Sequence, residues 1–356
     1  MKRRIGVSIL LLMTAAGACG LQRLQPFRPE VVVTSTRMAG GSEFLATASA
    51  TKKPTPTATL LPAWVFTPVP TLGMEQARER LLELLSGQAN CRLPCLWGIT
   101  PGKSTLQDVR PVVEPLRILA GSPIFWPETD DWLGKDGIGV DLVYTEDAVV
   151  PTALDGGSVV RQTFFMVDFR TNEQGVVEHI SFQAMEEDEF YDDAHYTLGV
   201  KYIYDSDSFG ERLQPYMLSS MLAEYGVPEG VLISTVGIPK EEGLGFRNFD
   251  IVLLYPDQGI FAHYTTVRDV VDGKGQACPA NAHVTLELFP VGDREAFLQG
   301  LAAIGWGELL PPPDNVFWRS LERATSLSLE EFYETFRQSK DACLETPIDL
   351  WWGPER

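Results

Sequence analysis

Positive charge is scarce in this chain. Lys and Arg number 29 against 48 Asp and Glu, a formal net charge of −19. A nucleic-acid or anionic-lipid surface is bound through a basic face that neutralises phosphates, so no nucleic-acid partner is expected. The surplus acid reads as a solvated, mutually repelling surface. Catalytic signatures are missing as well: there is no Gly-x-Ser-x-Gly elbow, no His-Glu-x-x-His pair and no phosphate-cradling glycine loop. A Ser-x-x-Lys occurs at Ser49 to Lys52, but in a Thr/Pro-rich stretch where nothing would hold a nucleophile in geometry. Beyond the N-terminus no apolar run is long enough to span a bilayer. These absences assign no catalytic residue, no cofactor site and no metal site.

What is present begins with an address. Lys2, Arg3 and Arg4 form a positive start, residues 5–16 are apolar but too short for an ordinary membrane span, and Ala16, Gly17 and Ala18 are small. Cys19 follows. This resembles the lipobox of bacterial lipoproteins, which implies a signal peptide over 1–18 and a lipidated Cys19 as the first residue of the mature chain. Its place is then the cell envelope, anchored on the extracytoplasmic face of a bacterial membrane. The alternative is an ordinary secretory signal with an incidental cysteine. Removing residues 1–18, with three basic and no acidic residues, takes the formal charge from −19 to −22.

Residues 20–73 lack a hydrophobic period and grow rich in Thr, Ser, Ala and Pro, too little apolar surface to offset chain entropy. Together with Cys19 they read as a disordered tether over 19–73, spanning on the order of 40 Å as a flexible coil. Only the β-like run at 30–36 is suited to pairing.

Order is expected from Met74. Met74, Ala77, Leu81, Leu84 and Leu85 recur at helical spacing, and Gly87 supplies a stop. Cys91 and Cys95 then bracket Arg92, Leu93 and Pro94, so a ring closed between them is tight and holds Trp97 and Gly98 at the mouth of the next element. Ser104 and Gln107 have capping-box spacing, which predicts a helix from Thr105 with Leu106, Val109, Val113 and Leu116 buried. Pro111, without an amide proton, predicts a kink or break in that helix.

Two later segments look alike. In one, a helix ends at Gly121 and Pro123, and a hairpin from Phe165 turns at Gln174 and Gly175. In the other, a helix carrying Leu218, Met221, Leu222 and Tyr225 ends at Gly226 and Pro228, and a hairpin from Ile251 turns at Gln258 and Gly259. The expected fold class is α+β: two related modules of helix packed on antiparallel sheet, 74–200 and 201–290, and a C-terminal helical segment, 291–356, packed on module two. Module one carries extra residues between Pro127 and Gly157. Val284 to Phe289 alternates as a further strand of module two. Ser328 with Glu331, flanked by Leu327 and Phe332, predicts a capped helix from Leu329 to Gln338.

Four cysteines remain after Cys19, and an even count in an exported chain points to two disulfides with three possible connectivities. The pairing favoured is Cys91 with Cys95 and Cys278 with Cys343. The second closes a 65-residue loop, worth about 4 kcal/mol if it acts through chain entropy. A four-cysteine zinc site is the rival. The acidic run from Met185 to Asp193 has no EF-hand spacing and reads as a solvated loop rather than a calcium site. His179 and His263 occupy matching places after the two glycine turns and read as histidines on the less buried face of a strand. The tryptophans, among them Trp97, Trp126, Trp132, Trp306, Trp318, Trp351 and Trp352, read as core.

The pattern Cys-x-Leu-Pro-Cys-x-Trp-Gly-Ile-x-Pro-Gly at 91–102, with the stretch at 321–333, resembles a motif of uncharacterised bacterial lipoproteins over about residue 74 to the C-terminus. That likeness implies no particular activity. Residues 98–109 are similar to the opening of the modules of outer-membrane assembly lipoproteins and of the β-lactamase-inhibitor-like fold, which implies protein binding. That likeness is a hint of fold; because a sequence able to pack a core carries no catalytic constellation, the expected function is a membrane-anchored extracytoplasmic lipoprotein with a non-catalytic ectodomain that binds or scaffolds a protein or envelope component. The alternatives are an envelope-polymer hydrolase using paired carboxylates and a small-ligand sensor with an enclosed pocket.

Overall fold

The computed structural model describes residues 69–87, 91–121, 137–151, 158–191, 197–203, 206–236, 248–306 and 318–351. All of them fall within one compact unit, Val65–Arg356. Cys19, the run at 30–36, Trp126, Trp132 and Trp352 lie outside the described residues.

In chain order the elements are α1 (Met74–Leu85), α2 (Leu106–Val113), β1 (Gly137–Pro151), β2 (Ser158–Thr171), β3 (Val177–Tyr191), β4 (Thr197–Ile203), α3 (Asp207–Arg212), α4 (Leu218–Tyr225), β5 (Gly230–Val236), β6 (Asn248–Tyr255), β7 (Ile260–Val267), β8 (Asp269–Val271), β9 (Lys274–Ala277), β10 (His283–Leu288), α5 (Arg294–Ala303), β11 (Arg319–Ser320), α6 (Leu321–Ala324), α7 (Leu329–Gln338) and β12 (Leu344–Pro347). The molecule is α+β. One antiparallel sheet runs β1-β2-β3-β10-β7-β6-β5-β11, with β4 pairing the far end of β3, and β12-β9-β8 form a small second sheet. β10 pairs antiparallel with both β3 and β7, so it sits at the centre of the sheet and those two strands run parallel on either side of it.

Alternation along the strands creates two faces. On one, Phe165, Val167, Ile180, Phe182, Val284, Leu286, Ala262, Tyr264, Ile251 and Leu253 join the helical residues Leu81, Leu85, Val109, Val113, Met221, Leu222, Phe332 and Phe336 in the main core. α1, α2, α4 and α7 therefore all bury their apolar stripes against the same side. On the other face, Leu232, Val252, Leu254 and Phe261 pack under Phe289 and the α5 residues Phe297 and Leu301, with Trp306 and Trp318 alongside. That cover lies over the β5–β7 half of the sheet.

The helix at 74–85 forms as its periodicity predicts, burying Ala77, Leu81, Leu84 and Leu85 but leaving Met74 exposed at its first residue, and the helix at 329–338 forms behind the predicted cap, with Ser328 and Glu331 closing their capping box. The start of α2 differs. Ser104 is not its cap, because its hydroxyl accepts the Thr100 amide at 3.0 Å. Thr105 becomes the N-cap, and Asp108 rather than Gln107 reaches back to its amide at 2.8 Å. Pro111 is tolerated inside α2, but the α-helix ends at Val113 and tightens into a 3-10 turn over Glu114–Leu119.

The acidic run is not a loop. Residues to Tyr191 continue β3, paired with β2 and β4. Glu186 there is fully buried, with Arg212 3.0 Å away and that guanidinium also bonded to Thr163. Alternation sends Glu186 inward, and Arg212 on α3 meets its charge. Both disulfides join the expected partners, with Cα atoms 5.6 Å apart for Cys91–Cys95 and 4.1 Å for Cys278–Cys343.

Candidate functional site

The Cys91 motif builds a small, strongly held structure. The Cys95 amide donates to Arg92 O at 2.9 Å, and Leu96 and Ile99 then exchange both backbone hydrogen bonds at 2.9 and 2.8 Å. The two residues between them, Trp97 (φ 57°) and Gly98 (φ 87°), are both left-handed. This is the two-residue hairpin turn that normally takes Asn-Gly. A non-glycine residue in that region costs about 1–2 kcal/mol. Burial of the indole offsets the cost: Trp97 is 3% exposed and meets Phe182 edge-on, with ring centroids 6.1 Å apart. Beyond the turn, Gly102 N donates to Val177 O (2.7 Å), Val177 N to Ser104 O (2.8 Å) and Leu106 N to Gly175 O (3.1 Å), fastening the motif to the start of β3.

Beside this structure lies a groove of about 430 Å3, walled by the end of α1 (Leu84, Ser86, Gly87), the disulfide loop and the stretch from Gln214 to Tyr225. Its lining mixes aromatic residues (Trp97, Tyr216, Tyr225) with polar ones (Arg92, Gln214, Ser220, Glu224). Arg92 forms an ion pair with Glu224, donates to Glu224 O at 2.9 Å and lies 5.6 Å over the Tyr225 ring. Burial raises the Tyr225 phenol above its ordinary value, against a hydrogen bond from the Leu93 amide that lowers it. Burial also raises Tyr216 well above the ordinary phenol range. The Trp97 side chain opposes that rise. At the rim, Gln214 Nε2 donates to Ser220 Oγ at 2.7 Å. The groove thus offers amide, hydroxyl and paired charges above apolar walls, which suits recognition through hydrogen bonds.

No family model, curated protein or solved structure matches this chain. Its reading rests on its own geometry.

Sequence reasoning places Trp97 and the disulfide at the mouth of an element, and the structure puts both on the groove. It does not bring in Tyr216, Ser220, Glu224 and Tyr225, which arrive from more than a hundred residues away. Their helical stretch carries no local sign of a site. Cys278 and Cys343 lie elsewhere, clasping the small sheet where Ala277 pairs with Leu344.

The two histidines share the sheet face opposite the main core, but His179 is buried rather than lightly covered. It lies 2.8 Å from Glu287 and stacks on Phe289 at 4.8 Å. His263 lies 3.0 Å from Asp250, which also accepts the Thr265 hydroxyl at 2.8 Å, and both Trp306 and Trp318 meet the ring edge-on. Asp168, Ser181 and Glu287 line up across β2, β3 and β10 on this face. Partial burial raises the Asp168 carboxyl above its usual range, with Arg170 opposing and Asp141 and Glu287 reinforcing it. Asp168 nonetheless reaches solvent. Among the described residues no group of three His, Cys, Asp or Glu is placed to hold a metal ion.

Proposed function

We propose that this protein is a lipid-anchored component of the bacterial cell envelope whose ectodomain binds a protein or envelope component in the groove beside the Cys91–Cys95 loop. The groove carries the reading: a buried tryptophan held in a left-handed turn, fastened to the central sheet and flanked by a hydrogen-bonding rim, is strain kept where a shaped surface is needed. Glu224 is the one carboxylate among the described residues lining it, and Arg92 holds it. Two-carboxylate hydrolysis calls for a second acid across the cleft, so the lining favours binding over hydrolysis. The openness of the groove favours a macromolecular segment over an enclosed small ligand.

The lipobox-like stretch ending at Cys19 supports the anchor. The two strand runs β1-β2-β3 and β5-β6-β7, each preceded by a helix on the main-core side, support a reading as two related units joined by β10. β2 and β6 lie on opposite outer sides of the parallel β3 and β7, so the units match in order of elements rather than by rotation.

The test is site-specific photocrosslinking of the full chain in its native membrane. A benzophenone side chain at Ser220 is expected to capture a partner that one at Lys274, on the small sheet, does not, and Arg92→Ala is expected to abolish the capture. Equal capture from both positions would refute the groove as the binding surface. Intact mass of the membrane-extracted protein is expected to show a diacylglyceryl group lost in Cys19→Ala; an unmodified chain would refute the anchor.

A further inference from the structure

We infer that the Cys91–Cys95 disulfide is a site of reversible thiol–disulfide exchange on the folded protein, open to a dithiol reductant through the groove, whereas Cys278–Cys343 is a structural clasp. This goes beyond the binding reading and concerns the protein with its groove open.

Three observations carry it. Access permits it: both Cys91 and Cys95 line the groove and both are half-buried, so an incoming thiol has a path to the S–S bond without unfolding, and since Cys278 is exposed and Cys343 half-buried the difference between the two bonds comes from what holds each pair together. The second is what else keeps the cysteines together. Cys278 and Cys343 adjoin Ala277 and Leu344, a register pair of β9 and β12 in a ladder that continues to Lys274 and Pro347. Reduced thiols there stay side by side at high effective concentration and reclose. The Cys91–Cys95 ring joins no two elements; besides the bond itself, the Cys95 amide to Arg92 O is the backbone hydrogen bond that spans it. No strand ladder holds its reduced thiols side by side. Third, the surroundings of the ring have holds of their own. Leu93, Leu96, Trp97 and Ile99 are buried in the main core, and the Leu96–Ile99 hairpin and the bonds from Gly102 and Ser104 to Val177 are independent of the ring.

The geometry also assigns the sulfurs. Cys91 Sγ lies 3.4 Å from the Cys95 carbonyl oxygen, a poor neighbour for a thiolate and a good acceptor for a thiol. The reductant's thiolate therefore bonds to Cys91 Sγ, the S–S bond breaks, and the electron pair leaves on Cys95 Sγ, which takes a proton from water. The reductant's second thiol, as thiolate, attacks its own sulfur in the mixed disulfide. Cys91 leaves as a thiolate and takes a proton from water; two electrons have passed from the dithiol to the protein, and the two protons the dithiol gave up to water balance the two the cysteines took from it. The reductant class is a thioredoxin-like dithiol; dithiothreitol is the probe.

The experiment treats the intact, oxidised full chain with graded dithiothreitol, blocks thiols with N-ethylmaleimide and maps the labelled peptides. Cys91 and Cys95 are expected to label at a reductant concentration at least about tenfold below that for Cys278 and Cys343, with the far-UV circular dichroism unchanged. Joint opening of both disulfides, or labelling of Cys91 only as the dichroism is lost, would overturn the inference. Cys91→Ser/Cys95→Ser is expected to fold with a melting temperature near that of the parent and to leave Cys278–Cys343 as resistant as before. A double variant that fails to fold would overturn it equally, because the ring would then be structural.

Discussion

Gly175 and Gly259 close turns that read alike, yet alanine at the two positions should have very different costs. Both backbones are left-handed, at φ 76° and 69°. At Gly175 a Cβ meets nothing within 4 Å, so the cost of Gly175→Ala is the left-handed conformation, about 1–2 kcal/mol, less about 0.4–1 kcal/mol of entropy withdrawn from the unfolded chain. The expected loss is about 1 kcal/mol. At Gly259 the same Cβ would stand 2.3 Å from the carbonyl oxygen of Phe289 and 3.0 Å from its carbon, both backbone atoms. The chain leaving β10 must then move, which also breaks the 2.8 Å hydrogen bond from Phe289 N to Gly259 O, worth about 1 kcal/mol. Displacement of Phe289 further disturbs its contacts with His179 and with Phe297, 5.4 Å away. The sum is about 3 kcal/mol or more, so Gly259→Ala should be at least about 2 kcal/mol worse than Gly175→Ala. Urea unfolding followed by circular dichroism, with m-values compared, reads the difference. Losses equal within about 0.5 kcal/mol would refute the claim that the backbone of Phe289 sets the need for glycine.

Burial pushes the His283 imidazole down to about 4 from 6.5, and it lies 2.9 Å from Ile203 O. The unfolded chain binds the proton first as pH falls, so stability should drop by about 2 kcal/mol between pH 7 and 5, a drop His283→Gln should remove; equal pH slopes would contradict this. Hydrogen bonds from the Ser328 amide and then its hydroxyl hold the Glu331 carboxyl below the usual range. Its contribution is present above the ordinary value and is lost as pH falls through the lowered one. Ser328→Ala should cost about 1 kcal/mol and shift the Glu331 titration upward by NMR. Glu186→Ala should cost about 3–5 kcal/mol in denaturant unfolding by removing a fully buried carboxylate that meets the half-buried Arg212 guanidinium; a loss below 1 kcal/mol would show that water reaches the site.

Legibility in the sequence follows how local each determinant is. α1 and α7 are readable because their stripes and caps lie within a dozen residues. The cap of α2 is displaced by one residue because a nearer donor, the Thr100 amide, takes the Ser104 hydroxyl. The acidic run misleads because composition speaks for solvent, whereas strand pairing and an arginine 26 residues away receive Glu186. The small sheet depends on strands of three or four residues, and the left-handed Asp272-Gly273 turn is its one local sign. Half of the candidate site is readable, since Cys91, Cys95 and Trp97 share a motif. Its other wall comes from Gln214 to Tyr225, and no short-range pattern announces a contact at that separation.

The central position of β10 bears on how the molecule assembles. β3 finds its inner neighbour about a hundred residues downstream, where Ile180 meets Leu288 and Ala184 meets Val284. Such a pairing raises contact order and slows folding. A chain delivered from its N-terminus would hold β1, β2 and β3, with β4 on the far end of β3, as a sheet whose inner edge at Ile180–Ala184 stays open until β10 arrives, and for that interval the edge is a template for any other strand. Aggregation during production should therefore depend on how quickly residues 283–288 follow, and a chain cut before His283 should lose solubility as well as its last three strands and the helices between them.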